Sequence, residues 1–470
     1  MAARSAIVIG AGMGGLTAAL RLARAGVAVR VIEARTGPGG LAAGFELEGL
    51  PFDAGPYILL DRPGLEWAFR AVGLELHEHV PLQRIEDIYE VLTPDGTRVR
   101  FGADLEATAG AFDRQWPGSG PRYVHYVNDV AKIYQRLEPL QRISRPGLWD
   151  LLRSGGWRHI PFLLRSLNSV LARAGLPPHL CDALAIWTHI AGQRVEHAPS
   201  PLAFVPALFH GVGAFYPTGG IGRIPTVLAA AAQRAGVVFD YGVKVTAIRR
   251  QGGRAAIVQT DRGETHTTNA VVSNAAGVGT YLDLLESPAP ALRTRLEKLP
   301  LQSPGVIAYL AVKGAIAPPY LRFYLPGGDE RCRCLVTPAV LEPNVQNDGW
   351  YPARLIVPMD HTRAQAVGPE GQREYLDRIV AEPWWREHVQ EHRVLATRTP
   401  TQWGSDYHLY RDSMNPVMTA EFMRAGRLAH RSAEVPGLYL TGSATHPGQW
   451  VSFCAISGVL AAERLLQDVR

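Results

Sequence analysis

The sequence predicts an α/β fold that opens on a Rossmann-like βαβ unit, and three observations carry the prediction. An apolar strand, Ala6 to Ile9, runs straight into the turn Gly10-Ala11-Gly12-Met13-Gly14-Gly15. A helix follows, with Leu16, Ala19, Leu20 and Ala23 on one face, and stops near Gly26. A second strand, Val27 to Ile32, then closes on an acid, Glu33. The glycines have separate reasons. Gly10 permits the tight turn, Gly12 lets the backbone approach a pyrophosphate, and Gly15 allows close helix packing, with Gly14 in the same turn; the helix N-terminus then faces the anion. Glu33, about 20 residues on, accepts hydrogen bonds from a ribose. A ligand-free glycine turn is the alternative, and the strand before, the helix after and the acid beyond weigh against it.

Length and composition bound the rest. At 470 residues with 47% apolar side chains, the chain exceeds what one core usually holds, so two intertwined domains are expected. The formal charge of +5 comes almost wholly from arginine, since the only lysines are Lys132, Lys244, Lys298 and Lys313. No basic run is interleaved with aromatics, so no nucleic acid partner is expected. Cys181, Cys332, Cys334 and Cys454 have neither CxxC nor zinc-ligand spacing, which fits a reducing compartment and no metal. The N-terminal apolar stretch reads as a strand and helix rather than a leader. No apolar run approaches the roughly 18 residues that span a bilayer. A cytoplasmic protein, one that can lie on a membrane, is the expectation.

Further along, an alternating pattern from Tyr89 to Phe101 around Pro94-Asp95-Gly96 predicts a hairpin, and the chain from Arg122 to Ala214 turns helical and aromatic. Gly219 and Gly220 precede a helix over Thr226 to Ala235. Strands over Val237 to Asp240 and Val243 to Ile248 lead through Gly252-Gly253 into others ending at Val271 and Val272. Residues 282 to 430 mix strands, helices and Pro-rich loops. A last strand, Gly437 to Leu440, leads through a glycine-containing loop into an apolar helix from Val451 to Leu466.

Beyond the first turn, Glu33-Ala34-Arg35 with Gly39-Gly40 and then Phe52-Asp53-Ala54-Gly55-Pro56 resembles the extended FAD signature of the amine oxidase and phytoene desaturase superfamily. The stretch Leu438-Tyr439-Leu440-Thr441-Gly442-Ser443-Ala444-Thr445-His446-Pro447-Gly448 resembles its bacterial phytoene desaturase branch, as do Tyr216-Pro217-Thr218-Gly219-Gly220 and Ala270-Val271-Val272-Ser273-Asn274-Ala275. The resemblance implies FAD as cofactor. It also implies a discontinuous layout: an FAD-binding domain from 1–85, 215–281 and 431–470, and a mixed α+β substrate domain from 86–214 and 282–430, with 122–214 a helical, membrane-facing insert.

Carried over by residue, it makes Gly40 and Leu41 neighbours of the FAD phosphates and ribityl chain and Val245 the backbone contact to adenine. Gly442, Ser443, Gln449 and Val451 then belong to the loop and helix start at the flavin, where the helix dipole stabilises negative charge. Leu41 stands where the family usually has arginine, so that charged contact is absent or comes from Arg35. Ser443 stands where amine oxidases usually have an acid, which favours the desaturase branch. Gln449-Trp450-Val451-Ser452-Phe453 replaces the usual Gly-rich run and is similar to carotenoid isomerases and saturases.

Catalytic candidates are His446, as a proton carrier or as a residue fixing its loop, and Tyr57, facing substrate or simply packed. Trp187, His189 and Arg194 form a polar and aromatic cluster that lines a substrate tunnel or does not. Between Arg142 and Arg173, Trp149, Leu151, Leu152, Trp157, Ile160, Phe162, Leu163 and Leu164 alternate with Arg153, Arg158 and Arg165. This suits either a basic helix lying in the headgroup region or one packed on the substrate domain.

The implied activity is FAD-dependent desaturation of a long apolar polyene or isoprenoid, with hydride passing to the flavin as a neighbouring proton is lost. Reduction or double-bond isomerisation of the same substrate class, amine oxidation, and a flavin-free prenyl-binding escort role are the alternatives.

Overall fold

The computed structural model describes residues 4–314 and 316–468, so the outermost residues of the expected FAD-binding segments, 1–3 and 469–470, lie outside the described residues. The N-terminal unit forms as the periodicity requires. Strand β1 (Ser5–Ile9) enters the glycine turn, helix α1 (Met13–Arg24) leaves it, and β2 (Ala28–Glu33) pairs parallel to β1 with Ile9 opposite Ile32. Three more parallel strands, β3 (Val238–Tyr241), β4 (Ala270–Ser273) and β5 (Leu438–Leu440), complete a sheet of order β5-β4-β1-β2-β3. The inner strands are buried on both faces because helices cover one and a three-stranded antiparallel sheet, Val245–Gln251, Arg254–Thr260 and Thr265–Thr267, covers the other.

Helix α1 is buried nearly all round, since it is held between this sheet and the C-terminal helix α2 (Val451–Asp468). The two helices approach so closely at Gly458 that a Cβ there would stand 2.3 Å from the Gly14 carbonyl oxygen. Gly458 is glycine for that reason.

A second, seven-stranded sheet has the order Glu391–Arg398, Val306–Lys313, Tyr351–Val357, Arg333–Val336, Leu321–Tyr324, Asp87–Leu92, Arg98–Gly102. Its pairings are antiparallel except between Leu321–Tyr324 and Asp87–Leu92. The expected hairpin forms its edge, turning through Gly96 at φ 84°, in the left-handed region. The inserted region is helical, including Ser119–Leu137, Pro178–Ile190 and Phe204–Gly211.

One expectation is corrected here. The Arg142 to Arg173 stretch is not a single basic helix. It is broken into Leu148–Ser154, a 3₁₀ turn at Gly156–His159, Ile160–Leu163 and Leu167–Ala174. Gly155 takes φ 74°, and Pro161 has no N–H to continue a helix from the preceding turn.

Candidate functional site

Two glycine turns build a trough at the carboxyl ends of β1 and β2. The Gly10 N–H donates to the Ile32 carbonyl at 2.8 Å and the Gly39 N–H to the Ala11 carbonyl at 2.8 Å, so the second glycine pair is stitched to the first. Gly40 faces Gly12, with a Cβ on it only 3.3 Å from the Gly12 Cα. At Gly12 a Cβ would stand 2.6 Å from Asn274 Nδ2, and at Gly14 2.5 Å from Thr441 Oγ1. The ends of β4 and β5 thus complete the wall that the sequence assigned to the first turn alone. Gly15 plays the packing part: a Cβ there would meet the Gly10 carbonyl oxygen at 2.0 Å, and the residue does not line the cavity.

Glu33 closes the turn as well as facing the trough. Its carboxylate accepts from the Ala11 N–H at 2.6 Å and the Arg35 N–H at 2.8 Å, while burial holds its pKa above the usual value against those bonds. Arg35 spans toward the second turn, Nη1 to the Gly40 carbonyl at 3.4 Å, with its guanidinium 4.0 Å over the Tyr407 ring.

The trough opens into a cavity of about 980 Å³. Gly10, Gly12, Gly14, Glu33, Arg35, Gly40, Leu41, Val245, Gly442, Ser443, Gln449, Val451 and Tyr57 all line it. An apolar set from the other side of the molecule lines it too: Leu59, Leu60, Trp187, Ile190, Leu202 and Val205. The start of α2 projects into the same space. Ser457, nearly two turns further along that helix, ties down the loop that precedes it, accepting from the Gly442 N–H at 3.0 Å and bonding the Thr441 and Thr445 hydroxyls at 3.0 and 2.6 Å. The Gln449 side chain is held at 3.0 Å by Asn415 Nδ2, which also donates to Gln302.

The structure does not bring His446 to this cavity. Its Nε2 lies 3.0 Å from the Leu140 carbonyl and its ring is absent from the lining. Burial and then the Arg427 charge press its pKa down to about 4, so it stays neutral and fixes the loop. The Trp187, His189 and Arg194 cluster is also split. Trp187 lines the cavity, the His189 Nδ1 accepts from the Cys332 N–H at 3.1 Å, and Arg194 is an exposed partner of Asp329 at 2.9 Å. A helix of 3.6 residues per turn sends neighbours to different faces, and Arg194 lies beyond its end. Tyr57 is buried on the cavity wall, with a hydroxyl that has no partner among the described residues.

Three residues at the site escaped the sequence reading. Asn274 lay inside a quoted motif without a role. Asp61 lines the cavity as the cap of helix Arg62–Ala71, its Oδ1 accepting from the Gly64 N–H at 3.2 Å, with a pKa raised by burial. Arg354 sits under the Asp53 to Pro56 loop from a distant strand and donates to the carbonyls of Asp53, Gly55 and Pro56 at 2.7, 3.1 and 3.3 Å. Only the Asp61-x-x-Gly64 capping pattern was visible in sequence.

A parallel sheet carrying two glycine turns, an acid at the second strand and a cavity shared with an antiparallel sheet defines a dinucleotide-dependent oxidoreductase of two-sheet design. The chain belongs to the flavin containing amine oxidoreductase family, whose model matches residues 13–309. It is 30% identical to a zeta-carotene-forming phytoene desaturase of Myxococcus xanthus, over 98% of this chain and 94% of that one. It is 25% identical to a 4,4'-diapolycopene oxygenase of Methylomonas sp, over 99% and 98%. Among solved structures, an oxidoreductase from Methanosarcina mazei shares the fold with a TM-score of 0.67 at 18% identity, covering 98% of this chain and all of that one.

The protein is an FAD-dependent oxidoreductase, and its cradle fits the cofactor. At Gly12 and Gly40 the trough is walled by backbone and the Asn274 amide, and a Cβ at either glycine would crowd it, at 2.6 and 3.3 Å from its neighbours, which suits a pyrophosphate. Glu33 and Val245 would take the adenosine end, and the start of α2 the flavin. When bound, the flavin supplies the two-electron acceptor. The residues of this chain would orient the partners and exclude water, with Gln449, Trp450 and Val451 of the α2 start in the cavity wall.

Proposed function

We propose that the protein desaturates a long apolar polyene or isoprenoid. The observation that carries this is the apolar half of the cavity, where Leu59, Leu60, Trp187, Ile190, Leu202 and Val205 offer a wall without paired charges. Such a wall holds a hydrocarbon chain, and the one carboxylate beside it, Asp61, caps the helix Arg62–Ala71 and is pushed toward its neutral form by burial, which weakens it as a partner for an amine cation. Anaerobic mixing of FAD-loaded protein with phytoene and with ζ-carotene tests the reading. Loss of the flavin's visible absorption, with one new double bond per flavin, is the expected result. Isomerised product with the flavin still oxidised would move the activity to isomerisation. Bleaching by putrescine but not by either polyene would overturn the proposal.

The Val451 N–H stands in the first turn of α2, where no carbonyl within the helix can pair with it. Aimed at the flavin, it stabilises the negative charge of the reduced form. Val451→Pro removes this donor at a position where helices tolerate proline. The variant is expected to fold, hold FAD and show a lower flavin potential in a dye-referenced titration. An unchanged potential in FAD-bound protein means that this helix start does not face the flavin.

The substrate reaches the cavity, in this proposal, from an anionic membrane. Five of the eight exposed large apolar side chains among the described residues fall in one stretch: Leu148, Trp149, Leu152, Trp157 and Leu164, with Trp149 79% exposed. The same stretch, Arg142 to Arg173, has six arginines and a single acid, Asp150. Phe162 stacks on Phe204 at 5.4 Å, beside the cavity residues Leu202 and Val205, so the patch rests on the apolar end of the site. Among the described residues no helix is long and apolar enough to cross a bilayer. Each large apolar side chain that enters the interface contributes about 1.5–3 kcal/mol, and each nearby arginine about 1 kcal/mol on an anionic surface. Wild-type protein is expected to float with phosphatidylserine-containing vesicles at low salt. Trp149→Glu combined with Leu152→Glu should abolish flotation, and Gln at Arg153, Arg158 and Arg165 should weaken it. Flotation unaltered by both sets of changes rules out this patch.

A further inference from the structure

Behind the start of α2 lies an arginine with no acid beside it among the described residues. Arg427 follows the short helix Ala420–Ala425 and is half-buried. Its Nη1 reaches the Thr445 carbonyl at 3.5 Å, while Nε and Nη2 point at the Met423 thioether sulfur at 3.3 and 3.1 Å. A thioether is a weak acceptor, and a guanidinium carries five N–H donors. No carboxylate of the described residues lies within 4.0 Å of it.

The other titratable groups around it are neutral. Burial holds the Cys454 thiol up, at about 12, and holds His430 and His446 down, at about 4. Burial lowers Arg427 itself only to about 10, so it remains a cation at neutral pH. An uncompensated buried charge is costly, and folds keep one where an anion comes to meet it.

The place of that anion follows from the neighbours. A Cβ on Gly448 would lie 2.6 Å from Arg427 Nη1, so the guanidinium is pressed against the turn that carries Gln449, Trp450 and Val451 into the cavity. Cys454, whose thiol senses the Arg427 charge, lines the cavity one turn into α2. The cation and the N-terminal end of α2 therefore act on the same space with the same sign.

We propose that Arg427 is the fixed positive charge that balances the negative charge the flavin acquires on reduction. A flavin that takes up an electron pair with one proton carries one negative charge, and Arg427 lies behind the turn that faces it. Arg427 is a positioning residue in this scheme: it acts across the Gly448 turn and touches no substrate. The inference rests on the flavin and is independent of the polyene reading, because its test contains no polyene.

Dye-referenced potentiometric titration of the FAD-bound protein compares wild type with Arg427→Met and Arg427→Lys. The Met variant is expected to shift the balance from reduced to oxidised flavin by on the order of tenfold, which corresponds to ~1.4 kcal/mol. The Lys variant should recover most of the shift. A Met variant that holds FAD at an unchanged potential overturns the proposal. If that variant does not hold FAD, wild type decides alone. Its potential should vary near neutral pH as for uptake of one proton per electron pair, the mark of a charged reduced flavin. Uptake of two protons, leaving a neutral reduced flavin, overturns the proposal.

Discussion

Gly12→Val yields folded protein nearly free of FAD. The side chain enters a trough whose opposite wall is the Gly40 backbone, and the only protein atom close to the new Cβ is the end of the Asn274 side chain, Nδ2 at 2.6 Å. That amide can rotate away. The backbone of the second glycine turn cannot, because the Gly39 N–H is bonded to the Ala11 carbonyl at 2.8 Å. The fold therefore survives while the space for the pyrophosphate does not. Overpacking a close-fitted site costs about 1–3 kcal/mol, so affinity for FAD falls by roughly tenfold to a hundredfold. The ratio of flavin absorbance to protein after purification, with a fluorescence titration of added FAD, measures the loss. Circular dichroism of the same sample checks the fold. A full complement of FAD in the variant would remove the first glycine turn from the cofactor site.

A larger loss of stability is expected from Arg354→Met. The guanidinium is 2% exposed and the Asp53 carboxylate 3%, with 4.0 Å between them. Asp53 in turn accepts from the Tyr216 hydroxyl at 2.8 Å and the Gly222 N–H at 3.1 Å. Removing the arginine leaves a buried carboxylate without its cation and frees three loop carbonyls, a change that costs about 3–5 kcal/mol. Since Ala54, Gly55 and Pro56 line the cavity, FAD retention should drop with the thermal midpoint. Differential scanning calorimetry with and without added FAD reads both effects. An unaltered midpoint would mean that Arg354 contributes nothing to holding the loop.

The legible part of this protein is the part written in neighbouring residues. Ala6 to Ile9, the glycine turn and Glu33 are local signals, because strand alternation, helix periodicity and the freedom of glycine act over a few bonds. They were enough for the α/β class and, with the motifs resembling known flavoproteins, for FAD and the oxidoreductase activity. The helix expected at Val451 begins at that residue, since an apolar run after a glycine loop has little other choice.

What the tertiary structure decided depends on contacts across hundreds of positions. Arg354 reaches a loop about three hundred residues earlier, and no local pattern marks it. Asn274 and Thr441 limit side chains at Gly12 and Gly14 only because β4 lies beside β1 and β5 lies beyond β4. His446 looked available for chemistry in sequence, but its ring is taken by the Leu140 carbonyl, over three hundred residues away. The exposed apolar stretch likewise became a surface patch only when Gly155 and Pro161 broke its helix, leaving Trp149 and Trp157 outside while Phe162 turned inward. Charge balance is the clearest case. The sequence counts Arg427 among many arginines, and only the packing around it leaves no acid of the described residues within 4.0 Å, because neighbourhood is a property of the folded whole.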